Sequence, residues 1–439
     1  MHHVHVDIPI RRFDRFPRRL LMVAGGAAIV GLVVWVLALI GAFGESERAW
    51  QAYLHAWLYF TSLTVGAIAF AAALVVTDAR WARSVRRFAL APVAFLPLAW
   101  LLLIPILLKT TTLFPWAQHP EALVPPQDMW MEPSFVAARN LVLFGALVLL
   151  GLAFTFFALR PDAGLGRDLA PARGRGLYTW MTRGWRGQEV EEAHAWARLR
   201  RLAVIYGLLY AVALSFIAYD FVMSLENHFI STLIGPYFFM GAFLGGIALT
   251  GLITAAVRGT LRLHAWILPV HLHDIGKLTF AFCIFWAYLF WAQYIVIWYG
   301  LLLPEQAFLV HRMSEPFGVL SMLVLLGIFV VPFAGLLGVA PKKKPFVYSI
   351  FASIILFAIW LERYILVYPS LYIGAEDIPL GLPEIGATLL FGGLFLATIG
   401  WFLSTMPVMQ SWEAPSEPHP DLLLDDARNQ APMRQITAD

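Results

Sequence analysis

Residues 20–43 read LLMVAGGAAIVGLVVWVLALIGAF, a run of 24 residues without a charge. A helix needs about 20 apolar residues to cross the hydrocarbon core of a membrane. Nine further stretches of similar length follow, and we predict that each is a membrane-spanning helix. The ten predicted spans are residues 20–43, 52–77, 88–108, 135–159, 202–225, 237–257, 278–303, 317–340, 346–368 and 385–406. The chain is therefore predicted to be an all-α integral membrane protein with ten transmembrane helices.

The overall composition supports the same class. Hydrophobic residues make up 60% of the chain, charged residues make up 13%, and the mean hydropathy is +0.72. These values are atypical of soluble proteins, and no polar region is long enough to fold as a separate soluble domain. The single cysteine, Cys283, lies in the seventh span. The sequence thus excludes a disulfide framework, a cysteine-rich metal site and a ligand set for an iron–sulfur cluster.

The distribution of basic residues predicts the orientation. Lys and Arg are retained on the cytoplasmic side of membrane proteins. The N-terminal segment, the even-numbered connections and the C-terminal tail hold 26 of the 31 basic residues. Both termini are therefore expected in the cytoplasm, and the net charge of +3 reflects this topology rather than nucleic-acid binding. We divide the chain into a basic cytoplasmic N-terminus (1–19), a ten-helix transmembrane domain (20–407) and a flexible cytoplasmic tail (408–439). The first span is expected to be an uncleaved anchor, because it is too long for a signal peptide.

Two connections are long enough to do more than turn. Residues 160–201 are cytoplasmic in this topology, and their last part, GQEVEEAHAWARLRR at 187–201, is predicted to form a helix that leads into the fifth span. Residues 109–134 are periplasmic and contain five prolines. They are expected either to form an extended loop that docks on a neighbouring protein or to fold over the helices of this chain.

The histidines argue against haem and metal ligation. Only His55 lies within a predicted span, so a facing pair of axial haem ligands at one depth is missing. His271 and His273 would point about 200° apart on a helix and cannot share a metal. We expect that this chain binds neither haem nor a transition metal.

Four ionisable residues lie inside the predicted spans: Arg139, Asp220, Glu362 and Arg363. Arg139, Asp220 and Glu362 are expected roughly 6, 7.5 and 9 Å below the periplasmic surface, from the rise of a helix per residue. Two cations and two anions at one level can be neutral overall. They form either interhelical salt bridges or a polar pocket, which could hold a quinone headgroup or a proton-carrying chain of water.

The partners of these charges can be predicted in part. Depth alone favours Arg139 as the partner of Asp220. Glu362 and Arg363 diverge by about 100° around their helix, so each is expected to find a partner elsewhere. Three further residues are predicted at the rim of the same polar layer: Lys109, Glu226 and His55.

A second polar group lies at the cytoplasmic end. The segment HLHDIGK at 271–277 supplies His273, Asp274 and Lys277 just before the seventh span. These residues either cap the helix, with Asp274 as the N-cap, or form a proton entry. A route between the two polar layers would need water and the hydroxyls of Tyr210, Ser215, Thr250 and Thr254.

The seventh span is dense in aromatic residues. It reads FWAYLFWAQYIVIWYG at 285–300 and holds one amide, Gln293. Such density is typical of helix packing and of the aromatic belt at a membrane surface. Alternatively, Trp286, Trp291 and Tyr294 form with Gln293 a flat wall for a quinone ring or a lipid.

Three long motifs resemble a known family. They are AYDFVMSLENHFISTLIGPYFFMGAF at 218–243, HDIGKLTFAFCIFWAYLFWAQYIVIWYGLLLPE at 273–305 and WLERYILVYPS at 360–370. Over residues 52–406 the chain resembles the membrane subunits of bacterial alternative complex III, within the broader family of NrfD and polysulfide-reductase membrane subunits. It is most similar to the ActF-type, or second quinone-type, subunits of that complex.

The resemblance implies two four-helix bundles, spans 2–5 and spans 6–9, flanked by spans 1 and 10. It implies a complex in the bacterial cytoplasmic membrane that oxidises menaquinol or ubiquinol. Partners would be periplasmic iron–sulfur and haem c subunits and a homologous ten-helix subunit that binds quinone. For an ActF-type subunit it implies a scaffold with a proton route and no cofactor held covalently or by metal ligation. Quinone or lipid would be its only bound small molecules.

The motifs also indicate functional positions. The matching residues are Asp220, Glu226 and His228 in the first motif, Asp274, Lys277, Gln293 and Glu305 in the second, and Glu362 and Arg363 in the third. The chain departs from the family pattern around Pro304. The family has an Asn before this proline and two acids after it, whereas this chain has Leu303 before it and Glu305 and Gln306 after it.

Two other functions stay open. The chain could itself bind and oxidise quinol at the four buried charges, which would require an electron acceptor in a docked partner. It could also be an independent secondary transporter, a class with inverted repeats and helices broken near the membrane midplane. Pro97 and Pro332 are the main interruptions in the predicted spans.

Overall fold

The computed structural model describes residues 18–123, 125–172, 174–226, 228–264 and 266–412, and this part of the chain is helical without a β-strand. Most of the predicted N-terminal segment and of the predicted tail lies outside these residues. Ten described helices are long and apolar enough to cross a membrane. They are α1 Leu20–Leu39, α2 Ser46–Val76, α3 Arg86–Leu108, α4 Pro133–Leu165, α5 Gln188–Leu225, α6 Ile234–Thr260, α7 Pro269–Gly300, α8 Gly318–Gly335, α9 Pro345–Leu371 and α10 Leu382–Thr405. Each overlaps one predicted span, so the prediction of a multi-pass, all-α membrane protein is confirmed.

Helix α2 is the most enclosed of the ten, with 89% of its apolar window buried. It contacts α3, α5, α6, α9 and α10. Its crossing with α6 is close because glycines face each other. A Cβ on Gly66 would lie 1.9 Å from the carbonyl oxygen of Ala242, and one on Gly246 would lie 2.2 Å from the carbonyl carbon of Gly66. Small residues allow transmembrane backbones to approach in this way.

Helix α1 lies at the edge of the molecule. Only 11% of its apolar window is buried, and it packs mainly against α10. A Cβ on Gly31 would lie 2.2 Å from the backbone nitrogen of Leu390, and one on Gly393 would lie 2.4 Å from the carbonyl oxygen of Ala24. One face of α1 is thus held by close backbone contact, and its other apolar side chains face outwards.

Two sets of four helices each form a closed ring of contacts. In the first set α2 contacts α3, α3 contacts α4, α4 contacts α5, and α5 contacts α2. In the second set α6 contacts α7, α7 contacts α8, α8 contacts α9, and α9 contacts α6. Contacts of α2 with α6 and α9, and of α5 with α6, join the two sets.

Two spans contain irregular turns. A 3₁₀ turn at Ala91–Phe95 divides α3, and a π-helical turn at Leu326–Val330 divides α8 just before Pro332. Proline lacks an N–H and clashes with the carbonyl four residues earlier, so the helix cannot continue unchanged. These are the regions near Pro97 and Pro332 where the sequence indicates interruptions.

The helix predicted at 187–201 is confirmed, because a single helix runs over Gln188–Phe221. Its first turns are attached to the end of α4. The Nε of Arg160 lies 2.7 Å from Oε2 of Glu191, and an Nη of Arg160 donates to the carbonyl of Met181.

The 109–134 connection is not extended, so that expectation is wrong. It forms short helical turns, at Thr110–Leu113, Pro115–Gln118, Pro120–Ala122 and Gln127–Trp130. Phe114 and Trp116 are each 1% exposed, and the Phe114 ring stacks on Phe221 of α5. Proline is well suited to the first turn of a helix, and the aromatic side chains next to it bury themselves. The alternative, a loop folded over the helices of this chain, is correct.

The packed domain extends beyond its predicted end at residue 407. Val408 is fully buried, and the backbone N–H of Ser411 donates to Oδ1 of Asp162 in α4 at 2.7 Å. Residues 408–412 therefore belong to the folded domain and not to a flexible tail, because a buried carboxylate at the end of α4 binds them.

Candidate functional site

Arg139 of α4 and Asp220 of α5 form a buried ion pair. The Nε of Arg139 lies 2.8 Å from Oδ2 of Asp220, and its Nη2 donates to the other carboxylate oxygen. Asn140 donates to Oδ2 of Asp220 at 2.6 Å. Asp220 is 0% exposed and Arg139 is 8% exposed. The predicted partnership of Asp220 with Arg139 is confirmed.

The rest of the Arg139 guanidinium is also occupied. Its Nη1 donates to the carbonyl of Trp130 at 2.6 Å, and its Cζ lies 4.2 Å from the centre of the Trp130 ring. Both charges of the Arg139–Asp220 pair are therefore well satisfied. The arrangement fits a structural salt bridge that holds α4 and α5 together.

Glu362 and Arg363 of α9 contact each other, so the prediction that adjacent residues find partners only elsewhere is wrong. The Oε2 of Glu362 lies 2.9 Å from Nη1 of Arg363. Both side chains are long enough to bend together over Gly241 of α6, where a Cβ would lie 3.2 Å from Nη2 of Arg363. Outside partners exist as well. Trp286 donates to Oε1 of Glu362 at 3.0 Å, and Arg363 donates to the carbonyl of Phe238 at 3.0 Å.

This second pair is less well satisfied than the first. The Oε2 of Glu362 and the Nε and Nη1 of Arg363 are buried and have no partner with hydrogen-bond geometry among the described residues. An unpaired polar group is costly in a protein interior. Such atoms commonly bind ordered water where a cavity provides space.

A cavity of about 90 Å³ lies beside Glu362. Its polar lining includes Tyr237 of α6, Gln293 of α7 and Arg312, and its walls are otherwise mostly apolar. A cavity needs about 10–15 Å³ of such volume to hold one water molecule, so this one has room for several. Pockets for drug-sized ligands measure roughly 300–1,000 Å³. A quinone ring would need this cavity to widen.

The short helix Leu303–Met313, between α7 and α8, closes the cavity on one side. Its Arg312 is 6% exposed and lies with Nη1 3.0 Å from Oε1 of Glu226. Ser370 of α9 accepts from Nη2 of Arg312 at 2.7 Å and donates to Glu226 at 2.7 Å. Burial lowers the pKa of Arg312 to about 10, and Glu226 opposes that shift, so Arg312 stays cationic at neutral pH.

Arg312 was missed by sequence reasoning because it lies outside every apolar stretch. The available signal was the amphipathic pattern of the segment, in which Phe308 and Arg312 are four residues apart and share one face. The Cζ of Arg312 lies 3.3 Å from the centre of the Phe308 ring. Glu226, predicted at the rim of the charge layer, is thus the partner of this arginine.

His55 is fully buried in α2 and does not lie at a rim. Its Nε2 donates to the carbonyl of Trp360 at 3.0 Å, and its Nδ1 is buried without a partner among the described residues. The rings of Trp360, Tyr364 and Tyr368 surround it. His55 is therefore a core residue with one free nitrogen.

A further ion pair nearby was not predicted. The guanidinium of Arg48 in α2 binds both carboxylate oxygens of Glu384 in α10, each at 2.8 Å, and Tyr368 donates to Glu384 at 2.9 Å. Both charges lie just before an apolar stretch, so nothing in the local sequence shows that the half-buried Arg48 pairs with the fully buried Glu384. Lys109 is a surface residue by comparison, with its Nζ 5.6 Å from the centre of the Trp50 ring.

At the opposite end of the helices, Asp274 is not an N-cap. Helix α7 begins at Pro269, because proline suits the first helical position. Nδ1 of His271 accepts the N–H of the residue before Pro269 at 3.1 Å. Asp274 lies about one turn after the start of the helix. Its Oδ1 is 2.7 Å from Nζ of Lys277 and 4.0 Å from Nδ1 of His273. The structure thus brings together His273, Asp274 and Lys277.

The hydroxyls named for a route between the two ends do not form a chain of side-chain hydrogen bonds with one another. The hydroxyls of Tyr210, Ser215, Thr250 and Thr254 each donate to a backbone carbonyl of a helix, and the acceptors are, in the same order, Phe239, Ala211, Gly246 and Thr250. A different hydroxyl contact, 3.0 Å between Thr279 and Tyr348, lies one turn beyond Asp274 on α7. A proton route through this region would therefore need water.

The predicted aromatic wall does not exist as one surface. Trp286 is 1% exposed and binds Glu362, whereas Trp291 is 57% exposed on the outer face of α7. Gln293 and Tyr294 line the cavity, and the Tyr294 ring also stacks on Trp291 at 5.4 Å. The helical period distributes the aromatic residues around α7.

Among the described residues, no group of three or more His, Cys, Asp and Glu side chains is placed to hold a metal ion. The candidate site is a small, partly polar cavity lined by Glu362 and Arg312, and the Arg139–Asp220 pair is not part of its lining. Comparison of the chain with protein-family models and with curated proteins finds no match.

Proposed function

We propose that the chain is a membrane subunit of a quinol-oxidising respiratory complex of the alternative complex III type. In this proposal it is a scaffold that also moves protons through the cavity beside Glu362. The observation that supports it most is the water-sized cavity, into which Glu362 is placed beside an arginine whose nitrogens are incompletely paired. A buried carboxyl group next to water can take up and release a proton.

The proposal places both termini in the cytoplasm of a bacterium, with the chain in its cytoplasmic membrane. The distribution of basic residues supports this orientation. It also treats α2–α5 and α6–α9 as two four-helix bundles, which the two closed sets of helix contacts support. The Glu362 cavity then lies towards the periplasm, and Asp274 and Lys277 lie at the cytoplasmic end.

The cavity has a defined outer boundary in this proposal. Arg312, Glu226 and Ser370 hold the helix Leu303–Met313 against α9 through hydrogen bonds of 2.7 to 3.0 Å. A small displacement of this helix would connect Glu362 to the outer water phase. Proton release at the periplasmic face would then follow the opening of these three contacts.

Electrons are carried by partner subunits in this proposal. These are periplasmic iron–sulfur and haem c proteins and a homologous ten-helix subunit that binds quinone. The support is the resemblance of residues 52–406 to ActF-type subunits. The chain itself would bind at most a quinone, either menaquinone or ubiquinone, or a lipid.

One observation favours the alternative that this chain oxidises quinol itself. Donors from Gln293, Tyr237 and Arg312 converge on the cavity beside the carboxylate of Glu362. They could bind the carbonyl oxygens of a quinone while the carboxylate accepts a proton. The volume of about 90 Å³ favours water over a quinone ring, so we retain this as the second candidate.

Proton-to-electron ratios in vesicles that contain the purified complex test the proposal. Glu362→Gln keeps the shape of the side chain but removes the ionisable group. We expect normal assembly, continued electron transfer and fewer protons moved per electron. Asp274→Asn should lower the ratio as well, because a continuous route is sensitive at both ends.

Asp220→Asn is the matched control, since Asp220 is buried at similar depth but fully bound to Arg139 and Asn140. It should change thermal stability and leave the ratio unchanged. An unchanged ratio in Glu362→Gln and Asp274→Asn would reduce the proposal to a scaffold. A quinone cross-linked beside Glu362 would favour the second candidate instead.

A further inference from the structure

A cleft of about 350 Å³ opens at the basic end of the helices, between the α2–α3 connection and the start of α5. We call it the arginine cleft. Its lining residues are Asp78, Arg80, Arg83, Glu192, Ala193, Trp196, Arg200 and Trp412. It shares no lining residue with the Glu362 cavity and has no part in the proposed proton route.

The cleft lies at the level where phospholipid headgroups are found. Arg80 and Arg83 follow the last residue of α2 by only a few positions, and Arg200 is two residues before the apolar stretch that begins at residue 202. Two residues of helix correspond to about 3 Å. The indoles of Trp196 and Trp412 are also typical of the membrane surface.

The cations of the cleft are positioned for an anion. The Cζ of Arg200 lies 4.8 Å from the centre of the Trp196 ring, which orients the guanidinium. The acids are partly engaged, since Asp78 lies 3.8 Å from Arg80 and Glu192 accepts from a nearby glutamine at 2.6 Å. Guanidinium groups bind phosphate oxygens through paired, charge-assisted hydrogen bonds.

An apolar track leads from the cleft towards the membrane interior. Trp196, Arg200, Val204 and Leu208 are spaced four residues apart and so lie on one face of α5. Val204 is 49% exposed and Leu208 is 68% exposed. A phospholipid has a charged phosphate at one end and an apolar acyl chain that extends from it. The cleft and the exposed apolar stripe beside it match these two parts.

We propose that the arginine cleft binds the phosphodiester headgroup of an anionic phospholipid, with one acyl chain along Val204 and Leu208. The site is built by tertiary structure, because its arginines come from the α2–α3 connection and from α5, which only the fold brings together. It is independent of the proposed function. Basic pockets between transmembrane helices are known to recognise acidic lipids in this manner.

The test uses the full-length chain, purified in detergent, stripped of lipid and titrated with lipid under native mass spectrometry. Phosphatidylglycerol and phosphatidylcholine with the same acyl chains are compared. The cleft variant is Arg80→Gln/Arg200→Gln, which leaves Arg83 in place because Arg83 already has a partner within the protein. At about 1 kcal/mol for each arginine near the surface, the affinity for phosphatidylglycerol should fall about 30-fold.

The matched control is Arg167→Gln/Arg175→Gln, which removes two exposed arginines from the same end but outside the cleft. It should bind phosphatidylglycerol as the unaltered protein does, and neither variant should change the binding of phosphatidylcholine. Inorganic phosphate is added in a further arm and should compete only weakly, since it lacks the acyl chain. Equal affinity for the two lipids, an equal loss in the control variant, or tight binding of phosphate alone would each overturn the proposal.

Discussion

Asp220 and Glu362 are both buried helical carboxylates beside an arginine, yet their hydrogen bonds differ. Both oxygens of Asp220 accept from Arg139, and one also accepts from Asn140. Glu362 accepts from Trp286 through one oxygen only, and its other oxygen has no partner of hydrogen-bond geometry among the described residues. The donors around each carboxylate therefore indicate different roles. Asp220 holds two helices together through a salt bridge, whereas Glu362 has an oxygen that can bind water.

Removing one member of the Arg139–Asp220 pair should be costly. Asp220→Ala leaves Arg139 as a buried, uncompensated cation, and we expect the free energy of unfolding to fall by about 3–5 kcal/mol. The double variant Asp220→Ala/Arg139→Ala should lose much less than the sum of the two single changes. Unfolding of the detergent-solubilised variants by sodium dodecyl sulfate measures both. Additive losses would contradict the pairing.

Trp286 offers a second test at the residue scale. Trp286→Phe keeps an aromatic ring but removes the indole N–H that donates to Oε1 of Glu362 at 3.0 Å. We expect a loss of about 1–3 kcal/mol in unfolding free energy, the range for a buried acceptor left unsatisfied. Trp291→Phe on the exposed face of the same helix is the control and should stay within about 0.5 kcal/mol. Equal effects would show that ring volume, not the indole N–H, matters.

At the scale of elements, the contact of α2 with α6 depends on the absence of side chains. A Cβ on Gly66 would approach the carbonyl oxygen of Ala242 to 1.9 Å, and backbone atoms cannot rotate away as a flexible side chain can. The two helices would have to separate. The buried charges of α9 pack against the same α6, at Gly241.

Gly66→Ala should therefore lower the free energy of unfolding by about 1–3 kcal/mol or more, the range for overpacking. Gly207→Ala in α5 is the control, because nothing lies within 4 Å of its Cβ position. That change should be neutral or stabilising by about 0.5–1 kcal/mol, since glycine is unfavourable within a helix. Thermal denaturation in detergent compares the two. A destabilised control with an unaffected Gly66 variant would refute the close-packing argument.

The whole molecule presents large apolar faces to its surroundings. Only 11%, 28% and 22% of the apolar windows of α1, α7 and α8 are buried within this chain. Lipid or neighbouring subunits must cover these faces in a membrane. The enclosed charges described above, in contrast, have their ionic partners within this chain.

Expressed alone, the chain should be colourless and unable to oxidise quinol, because the electron carriers belong to partner subunits in the proposed complex. Absorption spectra of the purified chain and a quinol oxidation assay check this. Purification from the native membrane should yield the chain together with haem and iron–sulfur subunits. Haem absorption or quinol oxidation by the isolated chain would contradict the proposal.

Hydropathy by itself predicted the ten helices of membrane-spanning length among the described residues. Whether a segment crosses a membrane depends on its own length and composition, since its backbone must be satisfied within one helix. The pairing of Arg139 with Asp220 could also be predicted, because both charges lie near the same end of consecutive helices. Local proline and charge patterns were less reliable, as the early start of α7 at Pro269 and the folded 109–134 connection show.

Only the tertiary structure decided which other charges are buried and what surrounds them. Arg48, Glu384 and Arg312 lie outside the apolar stretches. Glu384 and Arg312 are buried and Arg48 is half-buried, because helices distant in sequence meet around them. The contact between Glu362 and Arg363 likewise depends on the space that a glycine of α6 leaves free. A hydropathy pattern reports the neighbours of a residue along the chain, whereas burial and pairing depend on its neighbours in space.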